Sequence, residues 1–163
     1  MPISLTTYGA EPAITLLPPN EIGVAWHDGA PNVYYRQMSS NGTWSATETI
    51  ANNAFGVDLA ADSNGTIHFT FIAPTTFYPV FYVVAYRYRQ ADGSLSPLAT
   101  GSDASHPRIA LNSSGTPLIV LGNFGNHGMV GVCDIVGGLN CNGADFGDGV
   151  RIASGPAYSW HFL

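Results

Sequence analysis

The sequence predicts an all-β chain built from repeated units of four short antiparallel strands. Three observations predict it. The 163 residues include 19 Gly and 11 Pro beside 8 Tyr, 8 Phe and 3 Trp, a mixture that suits short strands joined by tight turns. Apolar and polar residues alternate through runs bounded by Asn-Gly, Asp-Gly and Ser-Gly pairs, which are hairpin signals. Finally, the runs recur along the chain at a regular spacing.

Three segments align without gaps. Ile14-Thr15-Leu16 through Val24-Ala25-Trp26 matches Leu59-Ala60-Ala61 through Phe69-Thr70-Phe71, 45 residues on. A further 50 residues on, Ile109-Ala110-Leu111 through Ile119-Val120-Leu121 matches both. Each segment is strand, turn, strand, with turns at Pro18-Pro19-Asn20-Glu21, Asp62-Ser63-Asn64-Gly65-Thr66 and Asn112-Ser113-Ser114-Gly115-Thr116. A second half-repeat follows: Val33-Tyr34-Tyr35-Arg36-Gln37 leads to Asn41-Gly42-Thr43-Trp44-Ser45, and 51 residues later Val84-Ala85-Tyr86-Arg87-Tyr88 leads to Asp92-Gly93-Ser94-Leu95-Ser96. The third copy is looser. It runs from Met129-Val130-Gly131-Val132-Cys133 through a long turn holding Cys141 to Val150-Arg151-Ile152-Ala153.

Four strands in about 45–50 residues is the period of a propeller blade. The expected architecture is therefore a β-propeller-like array of about three blades, near residues 12–51, 56–101 and 107–153, forming one partial domain over 1–163. Ile3 to Thr7 reads as a stray outer strand, and 157–163 as the start of a further blade. Tyr35, Tyr86, Trp26, Phe71 and Trp44 fall at repeat-equivalent places and are expected between blades. A six-bladed ring needs roughly 270–300 residues, so this length suggests half a ring. Either a second copy completes it as a homodimer, or a longer parent chain supplies the missing blades.

Charge narrows the function. Eleven acidic residues against five arginines and no lysine give a formal charge of −6, so there is no basic footprint for nucleic acid. No apolar run approaches the ~20 residues of a membrane helix. The first 19 residues lack the basic and apolar regions of a signal peptide. Cys133 and Cys141 flank a glycine-rich segment, and two readings are open: a disulfide across a hairpin, or two free thiols. The lysine-free, Ser/Thr/Asn-rich composition favours the disulfide and an extracellular or cell-surface location. Nothing in the sequence calls for a cofactor or a metal: two thiols make a poor zinc site, and the loop with Asn140, Asn142, Asp145 and Asp148 lacks the EF-hand glutamate.

The stretches YYRQMSSNGTWSATETI and VDLAADSNGTIHFTF resemble the repeats of sialidase-like propellers, known as bacterial neuraminidase repeat proteins. The resemblance covers residues 12 to about 121 and speaks for the fold. The family's Asp-box reads Ser/Thr-x-Asp-x-Gly-x-Thr-Trp. Asn41-Gly42-Thr43-Trp44 is one residue tighter, and Asp92-Gly93-Ser94-Leu95 also lacks the tryptophan. The CDIVGGLNC segment resembles the cysteine-bridged outer hairpins of some secreted propellers of this kind. The family's catalytic set is an arginine triad, a Tyr/Glu pair and an acid/base aspartate. It has no matching motif here; His106-Pro107-Arg108-Ile109 departs from Phe/Tyr-Arg-Ile-Pro in residue order.

In propellers, ligands sit over the central channel, on loops entering the innermost strand and loops joining the second and third strands. The first loop type places Ala13, Asp58, Arg108 and Ala157 at equivalent positions, where Asp58 and Arg108 are expected to pair. The second supplies His27-Asp28-Gly29, then Asn123-Phe124-Gly125-Asn126-His127, and a longer aromatic insertion from Ala73 to Tyr82 that contains Phe77 and Tyr78. Aromatic side chains there suit sugar stacking or protein contact. The expected ligand-binding set is Asp58, Arg108, His27, Asp28, Phe77, Tyr78, Asn123 and His127, with no catalytic residue. The function expected is a non-catalytic extracellular module binding a glycan or a protein surface. Two alternatives stand beside it: a fragment of a sialidase-type glycoside hydrolase, and a purely structural segment of a larger surface protein.

Overall fold

The computed structural model describes residues 10–28, 31–74, 82–103, 105–122 and 131–133. Among them there is no helix. The strands are β1 (Ala10–Leu17), β2 (Glu21–His27), β3 (Asn32–Met38), β4 (Glu48–Asn52), β5 (Phe55–Ala61), β6 (Ile67–Pro74), β7 (Tyr82–Arg89), β8 (Ala99–Asp103), β9 (Ser105–Leu111), β10 (Pro117–Gly122) and β11 (Gly131–Cys133). They form three antiparallel meanders in chain order: a first sheet β1-β2-β3-β4, a second β5-β6-β7-β8, and a third with the described strands β9-β10-β11.

Sequence turns become structural turns by one device. In the β5–β6 turn the Asp62 Oδ1 accepts the N–H groups of Asn64 and Thr66, both at 2.8 Å. In the β9–β10 turn Asn112 Oδ1 does the same for Ser114 and Thr116, both at 2.9 Å. Gly65 closes its turn at φ +81°, a left-handed conformation that costs glycine least. The outer hairpins repeat as faithfully. Gln37 N–H and Tyr88 N–H donate to the hydroxyls of Ser45 and Ser96, at 3.0 and 2.9 Å. Arg36 and Arg87 donate Nε–H to the carbonyls of those same serines.

The sheets pack face against face in series. One core joins the first and second sheets through Leu17, Ala25, Val33 and Tyr35 on one side and Val57, Leu59, Phe69 and Phe71 on the other. A second core joins the opposite face of the second sheet to the third, through Val84, Tyr86, Ile109 and Ile119. The second sheet is thus buried on both faces, and β6 is buried from Ile67 to Ala73. The Tyr35 ring meets Phe69 edge-on at 5.4 Å. Gly23 makes room for it, since a Cβ there would lie 3.1 Å from the Tyr35 ring and hydroxyl. Inter-sheet polar ties finish the join: Arg89 grips Glu48 through two hydrogen bonds of 2.8 and 2.9 Å, and Arg87 donates to the Ile50 carbonyl.

Repeat-equivalent residues therefore occupy equivalent faces. Tyr35 and Tyr86 each face the following sheet, and Trp26 and Phe71 are buried. Trp44 is half-buried and lies under the Arg36 guanidinium, 5.6 Å from its ring centre, on the outer hairpin rather than in either core. First strands stand beside one another, β1 against β5 and β5 against β9. The described sheets do not close on themselves. The expected strand at residues 3–7 and the pattern from 134 to 163 lie outside the described residues, as does Cys141, so the disulfide does too.

Candidate functional site

The first strand of each sheet opens with the same irregularity. Register shifts between Ala10 and Ala13 in β1 and between Phe55 and Asp58 in β5. In the third sheet the shift falls between β10 residues Val120 and Gly122, opposite Arg108 and Ser105 of β9. At each bulge one residue has a positive φ: Glu11 at 47°, Gly56 at 63° and His106 at 48°. These three residues are 45 and 50 apart, so they are one repeat position. A left-handed bulge residue is ordinarily glycine. Only the middle sheet uses one; its neighbours hold a carboxylate and an imidazole in a conformation unfavourable to side chains.

Around this position the first two sheets bring together an aromatic row and a carboxylate. Glu11 Oε2 reaches across Gly56, 3.7 Å from where a Cβ would stand. It lies 4.0 Å from Nδ1 of His27, which ends β2 and has no hydrogen-bond partner on that atom. The His27 ring meets Phe55 edge-on at 6.4 Å, and Phe55 meets Tyr82 edge-on at 5.3 Å. Tyr82 remains 46% exposed. An exposed aromatic face beside a carboxylate and a half-buried imidazole offers an apolar platform with a donor and acceptors at its edge.

The expected site residues divide. His27 belongs to this cluster. Asp28 turns inward to the β2–β3 connection, where its Oδ1 accepts the Asn32 N–H at 3.2 Å. Asp58 and Arg108 do not pair. Asp58 Oδ2 instead accepts the Ile109 N–H at 2.9 Å, tying β5 to β9, and Arg108 donates to the Pro107 carbonyl at 3.1 Å. The Ile109 N–H of the adjoining first strand takes the Asp58 carboxylate in place of the guanidinium. Phe77, Tyr78, Asn123 and His127 lie outside the described residues. The aromatic insertion is shorter than its composition suggested: Ala73 and Pro74 pair with Val83 and Tyr82, so both its ends belong to strands.

Glu11, Phe55 and Tyr82 were not among the expected residues. The signal was present, since Glu11, Gly56 and His106 differ in chemistry at one repeat position. The alignment drew attention two residues further in, at Ala13, Asp58 and Arg108, because a bulge shift cannot be counted from strand alternation.

Two other places hold polar side chains or a concavity. His68 is buried between the second and third sheets, its Nδ1 joined to the Tyr86 hydroxyl at 2.7 Å and its Nε2 without a partner. Burial holds the imidazole below its ordinary pKa, partly opposed by the Asp62 charge. Burial likewise pushes the Tyr35 and Tyr86 phenols far above theirs. At the opposite end of the sheets a shallow groove of ≈ 450 Å³ lies between the Pro18-Pro19-Asn20 turn and Asp62-Ser63. Among the described residues no group of three or more His, Cys, Asp or Glu side chains converges as a metal site, and no helix is long and apolar enough to cross a membrane. Comparison of the chain with models of known families gives no match, and comparison with curated proteins gives none either.

Proposed function

We propose that the three sheets are successive blades of an open propeller-like array, and that the bulged end of its first strands is a non-catalytic binding site for carbohydrate. Serial face packing, a blade-length repeat and adjacent first strands support the architecture. One observation carries the binding reading: Glu11 is held in a glycine-type conformation at the end of a row in which half-buried Phe55 meets exposed Tyr82. Strain of this kind persists where a side chain is needed at that spot. The aromatic faces would stack on the apolar face of a pyranose, with the Glu11 carboxylate accepting its hydroxyls. The carboxylates of Asp58 and Asp28 are engaged with backbone N–H groups, so neither stands opposite Glu11 as the second acid of a hydrolytic pair. The lysine-free composition goes with a place outside the cell.

A glycan array followed by titration calorimetry tests the reading. Tyr82→Ala should weaken the binding found by about tenfold or more, about 1.4 kcal/mol, without altering the strand spectrum. Glu11→Gly should abolish polar selectivity while relieving strain. Binding that neither substitution touches, or no glycan bound at all, would refute it; cleavage of a fluorogenic sialoside would replace it with the hydrolase reading.

A further inference from the structure

We infer that the chain associates head to tail with a second copy of itself, the outward face of the third sheet docking on the outward face of the first. The second sheet shows what each kind of face is for. Its face toward the first sheet is led by Leu59 and Phe69, and its face toward the third by Val84 and Tyr86. By the repeat, Ile14 stands where Leu59 stands, and Leu16 two residues on along the same side of β1. In the first sheet that side has no preceding sheet of the described set: Ile14 is 68% and Leu16 76% exposed, although Val24 and Trp26 on the same side are buried. At the other end, Ile119 and Ile109 point into the core while Leu118 and Val120, alternating with them on β10, are 41% and 36% exposed. They occupy the positions that in the second sheet face the third.

The two exposed apolar sides are therefore the two halves of an interface this chain already makes twice within itself. The occupant that carries the matching half, at the matching repeat positions, is another copy of the same chain. The two halves differ, so the contact is heterologous, and its geometry leads to a ring if the rotation closes. This inference uses neither the ligand nor the bulged end.

Light scattering over a concentration series tests it, with an engineered mixture as the decisive arm. The wild-type chain should rise above monomer mass as concentration increases. Ile14→Asp with Leu16→Asp should be monomeric alone, as should Leu118→Asp with Val120→Asp, because each lacks one half. Mixed in equal amounts they should give one complex of twice the monomer mass and nothing larger, since each supplies the half the other has lost. Circular dichroism checks that both remain folded, and Leu16→Ser and Leu118→Ser serve where the aspartates unfold the chain. A wild-type monomer at every concentration, or a mixture that stays monomeric, would overturn the inference. So would a symmetric dimer that only one double substitution disrupts.

Discussion

Glu11 and His106 hold φ values of 47° and 48° where the equivalent Gly56 does so freely. A side chain in that region costs about 1–2 kcal/mol. Glu11→Gly should therefore raise the urea midpoint, by roughly 1 kcal/mol of stability, even as it removes the carboxylate from the aromatic row. His68 leads to a pH effect of definite sign. Its folded pKa lies below the unfolded value because burial disfavours the imidazolium. The native chain then binds fewer protons than the unfolded one. The stability tied to neutral His68 is complete above about pH 6.5 and declines as pH falls through the lower folded value. Urea melts from pH 7.5 down to 5 should show that decline, and His68→Gln, which keeps a partner for Tyr86, should flatten it. An unchanged slope in the variant would assign the acid sensitivity to other groups.

At the scale of the element, the outer hairpins owe their shape to one serine each. Ser96 is buried, accepts the Tyr88 N–H on its hydroxyl and the Arg87 guanidinium on its carbonyl, and donates to the Pro97 carbonyl. Ser45 makes the equivalent set, but half-buried. Removing an acceptor from a buried N–H costs about 1–3 kcal/mol, and water repairs the loss where it can reach. Ser96→Ala should therefore destabilise by about 1–2 kcal/mol and Ser45→Ala by less, measured by chemical unfolding of the two variants side by side. Equal costs would mean that the shared backbone bridge, Met38 with Trp44 and Arg89 with Leu95, rather than the hydroxyl, holds these turns.

For the whole molecule, stability is concentrated in the second sheet, because it alone buries both faces among the described sheets. Phe69 is fully buried beside Tyr35, whereas Ile14, the repeat equivalent of its β5 partner Leu59, is mostly exposed. Phe69→Ala should cost about 3–5 kcal/mol and Ile14→Ala almost nothing in the monomer. Thermal or urea unfolding of the pair checks this. A large effect of Ile14→Ala that grows with protein concentration would instead report the head-to-tail contact. Polar ties add to the apolar join between the first two sheets. The Arg89–Glu48 pair is two-pronged, and the Arg89 guanidinium also lies 5.8 Å from the Tyr35 ring centre, so it bridges sheets where packing alone leaves room to slide.

How much of this was legible beforehand follows from the range of the forces. Strand identity, the order of strands in each sheet and the turn residues are local consequences of alternation and of Asp, Asn and Gly at fixed offsets. The repeat made them readable from Ile14 to Leu121. Even the sorting of Tyr35 and Tyr86 into inter-sheet cores was readable, since equivalent residues in equivalent frames pack alike. The partners of polar groups were not. Asp58 takes a backbone N–H of β9, 51 residues away in the chain, and only the approach of two sheets decides that. The cluster of Glu11, His27, Phe55 and Tyr82 was hidden for a related reason. A bulge shifts the register by a residue without any mark in the alternation, and it is the neighbouring sheet that draws four separated side chains to one end. The sequence by itself determined what each strand is and which side of it is apolar; the tertiary structure alone decided which sides meet and which stay open, because that depends on contacts between residues tens of positions apart.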